Sequence, residues 1–217
     1  MSDRILPFYV VCDESYSMAD HLDLLNDSLD DVYRVVRTDP ALAGRTRLGV
    51  IGFSREARVV APLSRRAERI GKPELRGGAE TNFGAVFTTL RETIEHDVER
   101  LRAESCSIYR PAVFFLSDGQ PTDHADWPAA HARLVDRSWP ARPRMIAFGI
   151  GDADRATMSQ IGTYRAYLSR TGVTPRRVIR EFAKTLASSL FLSGAAGDDL
   201  HVPAQVSGFT ALERSSV

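Results

Sequence analysis

The sequence is short of cysteine, of net charge and of long apolar runs, and each shortage removes a class of protein. Its two cysteines, Cys12 and Cys106, stand far apart and match no metal-ligand spacing, so neither a disulfide framework nor a thiolate site is expected. Cys12 falls inside an apolar run and reads as a small core residue. Lys plus Arg and Asp plus Glu both total 28, leaving no net field to gather nucleic acid or an anionic membrane. Arg far outnumbers Lys, so local basic patches stay open. No stretch approaches the ~20 apolar residues of a membrane span. The run Ile5 to Cys12 follows Arg4 as a secretory signal would, but Asp13 and Glu14 interrupt it before any small-residue cleavage site. The chain therefore reads as cytoplasmic. Internal repeats and low-complexity tracts are lacking too.

What is present suits one substantial core. The chain has 217 residues, 43% of them hydrophobic and 26% charged, ordinary values for a globular domain. Phe8 to Cys12 is an apolar run rich in aromatic and β-branched residues, as a strand buried on both faces requires, with Pro7 tolerated only at its start. Leu22, Leu25, Leu29, Val32 and Val36 then recur at helical spacing until Asp39-Pro40. Leu48 to Phe53 and Ala57 to Ala61 are two more strands, too close together for a crossover, so they form an antiparallel hairpin. Phe83, Val86, Phe87, Leu90, Ile94, Val98 and Leu101 mark a long amphipathic helix. Ala112 to Leu116, Arg144 to Ile150 and a short Tyr164 to Leu168 complete the strands. A helix over Ala125 to Trp139 and another from Thr174-Pro175 to Gly194 complete the helices. This alternation predicts an α/β fold: a doubly wound, Rossmann-like, mostly parallel sheet with one antiparallel edge strand and helices on both faces. Residues 1–194 form that domain. Residues 195–217 are a polar extension that is either disordered or extended over the domain, and scattered Val202, Pro203, Val206, Phe209 and Leu212 favour the second.

The chemistry gathers where strands end. Asp13-Glu14-Ser15-Tyr16-Ser17 follows the first strand, and Asp118-Gly119 follows the strand ending at Leu116. In doubly wound sheets, ligands bind beyond such ends, where strand order reverses. If the two strands are neighbours, Asp13 and Asp118 share a crevice and repel unless a proton or cation lies between them. Ser15 and Ser17 add hydroxyls, and Thr81 adds another from a loop hinged at Gly77-Gly78. A set of carboxylate and hydroxyl oxygens, without His or Cys, suits Mg²⁺ (or Mn²⁺) and disfavours zinc or copper.

The same residues carry a family resemblance. Asp13, Ser15 and Ser17 after an apolar strand, Thr81 after a Gly-rich loop, and Asp118 at a later strand end resemble the metal-ion-dependent adhesion site of von Willebrand factor A domains. The resemblance spans roughly residues 6 to 193. It implies that Asp13, Ser15, Ser17, Thr81 and Asp118 hold one divalent cation, directly or through water. It also implies that a carboxylate, or a phosphate, of a protein partner completes the shell. Val10-Val11-Cys12-Asp13-Glu14-Ser15, Gly78 through Gly84 and Phe182-Ala183-Lys184 look closest to bacterial tellurite-resistance-associated (TerY-like) members, which occur with kinases and phosphatases in stress responses. Movement of the last helix on ligand binding follows from the resemblance alone.

Each residue also has a plainer reading. Asp13 or Ser15 could cap the first helix, Thr81 the long helix, and Asp118-Gly119 could be a turn. A metal-dependent phosphoryl-transfer or hydrolytic enzyme could use the same Asp13/Asp118 crevice. An aspartyl phosphatase with Asp13 as nucleophile would need an acid at Ser15. Gly149-Ile150-Gly151 starts like a dinucleotide fingerprint but has Asp154 where the third Gly belongs. His96, His124 and His131 are expected at the surface, and Trp127 and Trp139 as partial core anchors. Arg65-Arg66 with Arg69 reads as a solvated face. Tyr16, Glu80, Asn82 and Gln120 are expected around the rim of the crevice.

Overall fold

The computed structural model describes residues 4–64, 73–196 and 200–213; Arg65, Arg66 and Arg69 lie outside them. The first strand, β1 (Arg4–Asp13), is followed by a 3-10 turn (Tyr16–His21) and two helices, α1 (Leu22–Thr38) and α2 (Pro40–Arg45). The hairpin β2 (Thr46–Phe53) and β3 (Ala57–Ser64) precedes the long α3 (Phe83–Ala103). Then come β4 (Ser107–Ile108), β5 (Ala112–Ser117), α4 (Trp127–Leu134), β6 (Arg144–Gly149) and α5 (Arg155–Ile161). The last elements are β7 (Arg165–Ser169), α6 (Pro175–Ala196) and β8 (Phe209–Leu212).

Among the described residues the sheet runs β3-β2-β1-β5-β6-β7-β8, with β4 paired to the start of β1. β1 pairs in parallel with both β2 and β5. Strand order therefore reverses between β1 and β5, which puts the switch point beside Asp13. Alternation along β1 sends Phe8, Val10 and Cys12 to one core with α1 and α6. Tyr9 and Val11 go to the other, with Phe83 and Phe87 of α3 and Trp127 of α4. Both faces are covered, so the strand has no polar side.

The short α2, β4 and α5 are absent from the sequence expectation, and four further features depart from it. Pro7 lies inside β1, where the strand has passed β4 and not yet met β5; one side has no ladder there for its missing N–H to interrupt. The helix expected over Ala125 to Trp139 closes at Leu134, and Trp139 sits in the following turn under the Arg91 guanidinium. His131 is not a surface residue but is buried, its ring against Phe87 and Trp127. Burial lowers its pKa to about 4, and its Nε2 lies 3.3 Å from the Ile161 carbonyl oxygen.

The fourth feature is a second antiparallel edge. Residues 200–213 return along the sheet, and β8 pairs with β7. Phe209 packs against Phe148 and Tyr167, while Tyr164 Oη donates to the Leu200 carbonyl (3.0 Å). Leu200, Val202, Val206 and Phe209 are buried in the core that holds α1 and α6. No helix among the described residues is long and apolar enough to cross a membrane.

Candidate metal centre

Three segments meet beyond the ends of β1 and β5. Asp13 closes β1 and is fully buried. Its Oδ1 accepts the Ser15 N–H (2.8 Å), and its Oδ2 accepts the Ser117 hydroxyl (2.5 Å). Register explains the second bond, since Cys12 sits opposite Leu116 and the next residues are Asp13 and Ser117. Ser15 Oγ lies 3.1 Å from Ser17 Oγ, which donates to Asp118 Oδ1 (2.8 Å). Asp13, Ser15, Ser17 and Asp118 thus form one connected polar cluster. Thr81 joins from the third segment. Its Oγ1 lies 3.3 Å, and Asp13 Oδ2 3.7 Å, from where a Cβ on Gly119 would stand. Gly119 leaves that space open between them.

The plainer readings can be tested by asking who does the capping. Asn82, not Thr81, is the N-cap of α3, its side chain accepting from Ala85 N–H. Asp123 covers two further N–H groups of that helix, those of Phe83 (3.0 Å) and Gly84 (2.6 Å). Thr81 is fixed instead through its backbone, with its carbonyl accepting from Thr122 N–H and hydroxyl. Ser15 precedes the 3-10 turn without a side-chain capping bond. The hydroxyls of Ser15 and Thr81 are therefore not used as caps. Asn82, expected at the rim, is committed to its helix. Tyr16 remains 81% exposed beside the crevice, and Glu80 pairs with Arg55 (3.3 Å).

Glu14, buried between the site residues, ties the loop that carries Thr81 to β1. Its Oε1 accepts from Arg76 N–H (2.5 Å) and from Arg58 Nη2 (2.6 Å), and its carbonyl accepts from Gly78 N–H (2.6 Å). The carboxylate lies over Gly52, where a Cβ would stand 2.4 Å from it. Burial raises the Glu14 pKa, and the Arg76 N–H and the Arg58 guanidinium oppose the rise.

Burial also dominates the electrostatics of the two aspartates. It lifts the Asp13 carboxyl to about 6, against the pull of the bonds from Ser117 and Ser15, with the Asp118 charge adding to the rise. Asp118 is raised by burial too, opposed by its bond from Ser17 and by the charge of His21. Two carboxylates whose charged forms are disfavoured in one crevice are what a bound cation would relieve. No group of three or more His, Cys, Asp or Glu among the described residues could hold a metal. A cation here would thus need the hydroxyls as well, and the donors available are all oxygen. That set fits a hard divalent ion.

Sequence reasoning missed Ser117, Asp123 and the anchoring role of Glu14. The Gly149-Ile150-Gly151 turn instead leads to Asp154, which caps α5 by accepting from Thr157 N–H (2.7 Å).

The comparisons agree with this architecture. The profile described as von Willebrand factor type A domain matches residues 8–175. No curated protein sequence shows significant similarity to the chain. Among solved structures, one similar fold is proximal thread matrix protein 1 from the mussel byssus with a zinc-occupied MIDAS motif. It is 18% identical with a TM-score of 0.61, over 88% of this chain and 48% of that one. The pilus adhesin SpaC from Lactobacillus rhamnosus GG is 13% identical with a TM-score of 0.65, over 87% and 30%. The ArnB paralog VWA2 from Sulfolobus acidocaldarius is 20% identical with a TM-score of 0.55, over 87% and 46%. The chain thus spans half or less of each of these, and at such identities the likeness is one of fold.

Proposed function

The chain belongs to the von Willebrand factor type A family, and from that premise we propose that it is a divalent-cation-dependent protein-binding module, not an enzyme. Domains of this family are typically metal-dependent interaction or adhesion modules. The observation that carries the reading is the convergence of oxygen donors from three segments while other residues do the capping. Asp13, Ser15, Ser17, Thr81 and Asp118 would hold the ion, with Mg²⁺ preferred (Mn²⁺ as alternative) because the donors are hydroxyl and carboxylate oxygens. The bound ion supplies positive charge and an exchangeable position for a carboxylate, or phosphate, oxygen of the partner. Asp13 and Asp118 set that charge, and Glu14 holds the Thr81 loop against β1. Tyr16, exposed at the rim, offers apolar area to whatever docks there.

Among the described residues the crevice hydroxyls bond to the aspartates and to each other, with no histidine or lysine among their partners. His21 is close enough for its charge to reach Asp118, but among the described residues no hydrogen bond joins it to Asp13, Ser15 or Ser17. The residues quoted for the TerY-like resemblance extend the proposal to a bacterial cytoplasmic stress-response system linked to kinases and phosphatases. In the same reading, α6 shifts when the partner binds.

Calorimetric titration with Mg²⁺ tests the site, with saturable binding expected for wild type and none for Asp13→Ala. A pull-down in Mg²⁺ against chelator then tests the bridge, and a partner retained equally in chelator overturns it. Hydrolysis of phosphate esters that disappears with Asp13→Ala would replace the binding module by an enzyme.

A further inference from the structure

One face of the sheet carries α1 and α6 side by side, and the two helices have opposite charge. Both pack on the same core, and both follow strands of the parallel set, β1 and β7, so they run in the same direction. α1 holds four aspartates and two arginines, a net −2; α6 holds three arginines, one lysine and one glutamate, a net +3. Between them lies a trough of about 300 Å³. Val32 and Val35 with Asp31 line it from α1, and Ala183 and Ala187 with Arg180 and Lys184 line it from α6. Five large hydrophobic side chains are exposed among the described residues, and three of them belong to these two helices: Val35 (43%), Phe191 (51%) and Leu192 (40%). Phe191 stands one turn beyond Ala187 on the same face of α6.

The ion pairs within each helix leave its sign unchanged. Arg34 is shared between Asp30 (3.1 Å) and Asp31 (3.2 Å), so α1 keeps an acidic excess beside the trough. On α6, Glu181 holds Lys184 (2.8 Å), and Arg180 adds basic charge to the same wall. The face is thus acidic on one side, basic on the other and apolar along the seam between them. Such a surface is complementary to itself when it is turned about the seam.

We propose that two copies of this chain associate through the α1–α6 face, about a two-fold axis that runs along the trough. That axis sets α6 of each copy over α1 of the other at the same height. Arg180 and Lys184 then meet Asp31 of the second copy, Phe191 meets Val35 of the second copy, and each contact occurs twice. An axis across the helices would instead set α1 on α1 and acid on acid, so charge selects the first arrangement. A helix the length of α1 is about 25 Å long, and two helices about 10 Å apart cover roughly 500 Å² per copy, about 1,000 Å² in all. That is the low end of specific interfaces, so the dimer is weak and reversible. Both helices start at the end of the sheet that carries the cation crevice. The two crevices of the dimer therefore point the same way, and a partner with two acidic groups would be held twice. That consequence rests on the proposed cation site; the association itself does not.

The test is sedimentation equilibrium of the full chain in chelator, where the cation site plays no part. The mean mass should rise above the 24.0 kDa of one chain as concentration increases. Between about 5 and about 500 µM it should approach twice that value, with a dissociation constant on the order of tens of micromolar. Asp31→Lys and Arg180→Glu each reverse a contact that counts twice, and each should weaken the dimer by about tenfold or more. Mixed in equal amounts, the two variants should regain wild-type association, because the two altered helices then face each other and so do the two unaltered ones. Phe191→Asp should also weaken the dimer, with an unaltered melting temperature because the ring is already half exposed. A chain that stays monomeric at the highest concentration leaves the trough to a helix of another protein and overturns the proposal. Full association in both charge variants, or a mixture no tighter than its components, would overturn it as well.

Discussion

Where the strands of the sheet finish, Asp13, Asp118 and Asp123 accept; where the strands begin, Arg110 and Arg142 donate. Helices start at the first end and leave N–H groups over, and Asp123 takes those of Phe83 and Gly84 while Asp13 takes that of Ser15. Helices and loops finish at the second end and leave carbonyls over, and Arg110, Arg142 and Arg91 donate to them. The backbone thus selects the sign of charge at each end before any ligand is considered. What distinguishes a site from ordinary capping is the surplus. At the first end the surplus is a set of hydroxyls and the Asp118 carboxylate.

The sharpest way to break this comparison is Asp13→Asn. The amide keeps the size and the acceptor for Ser15 N–H but removes a charge that burial disfavours. If Asp13 were only a backbone acceptor, the variant would bind Mg²⁺ like wild type. We expect affinity to fall by more than ~100-fold, beyond the range typical of outer-sphere partners. In chelator the variant should melt no lower than wild type.

The next effect lies at the arginine end. His131 is buried beside Phe87 and Trp127, so the folded state accepts a proton near pH 4. The unfolded chain accepts one near 6.5. Stability from the neutral imidazole is fully present above pH 6.5 and lost as pH falls from there through about 4. The loss approaches about 3 kcal/mol. Urea unfolding at several pH values should give a flatter acid limb for His131→Gln than for wild type. Identical limbs would show that the ring is solvated.

Much of the first end was legible in the sequence because it rests on strand ends. Phe8 to Cys12 and Ala112 to Leu116 are apolar on both faces, which fixes where Asp13 and Asp118 emerge. The Gly77-Gly78 hinge marks the loop that brings Thr81. Ser117 and Asp123 were not legible. Ser117 meets Asp13 only through the β1–β5 register, and Asp123 reaches α3 from 40 residues away. The burial of His131 depends on the approach of α5, whose last residue, Ile161, faces its Nε2, and no local period reports that. The edge strand β8 carries only two buried residues of four, too weak an alternation to read without β7 beside it.

Two smaller substitutions sharpen what belongs to the first end. Ser117→Ala removes the donor that orients the Asp13 carboxylate at Oδ2. It should cost on the order of tenfold in Mg²⁺ affinity, the low end for partners of metal ligands. A loss as large as that of Asp13→Asn would move Ser117 into the donor set itself.

Gly119→Ala should do least, and it asks the finest question. The added Cβ would stand 3.3 Å from Thr81 Oγ1 and 3.4 Å from its Cγ2, so the threonine must give by a few tenths of an ångström. The backbone at Gly119 is not in the left-handed region, so alanine brings no strain of its own and the melting temperature in chelator should hold. If Thr81 is a donor, that displacement weakens Mg²⁺ a few-fold through geometry alone, because the ion tolerates little departure from octahedral positions. Ca²⁺, whose shell is more flexible, should be affected less. Equal affinity for Mg²⁺ in wild type and variant would take Thr81 out of the donor set and leave the β1 turn and Asp118 to hold the ion with water.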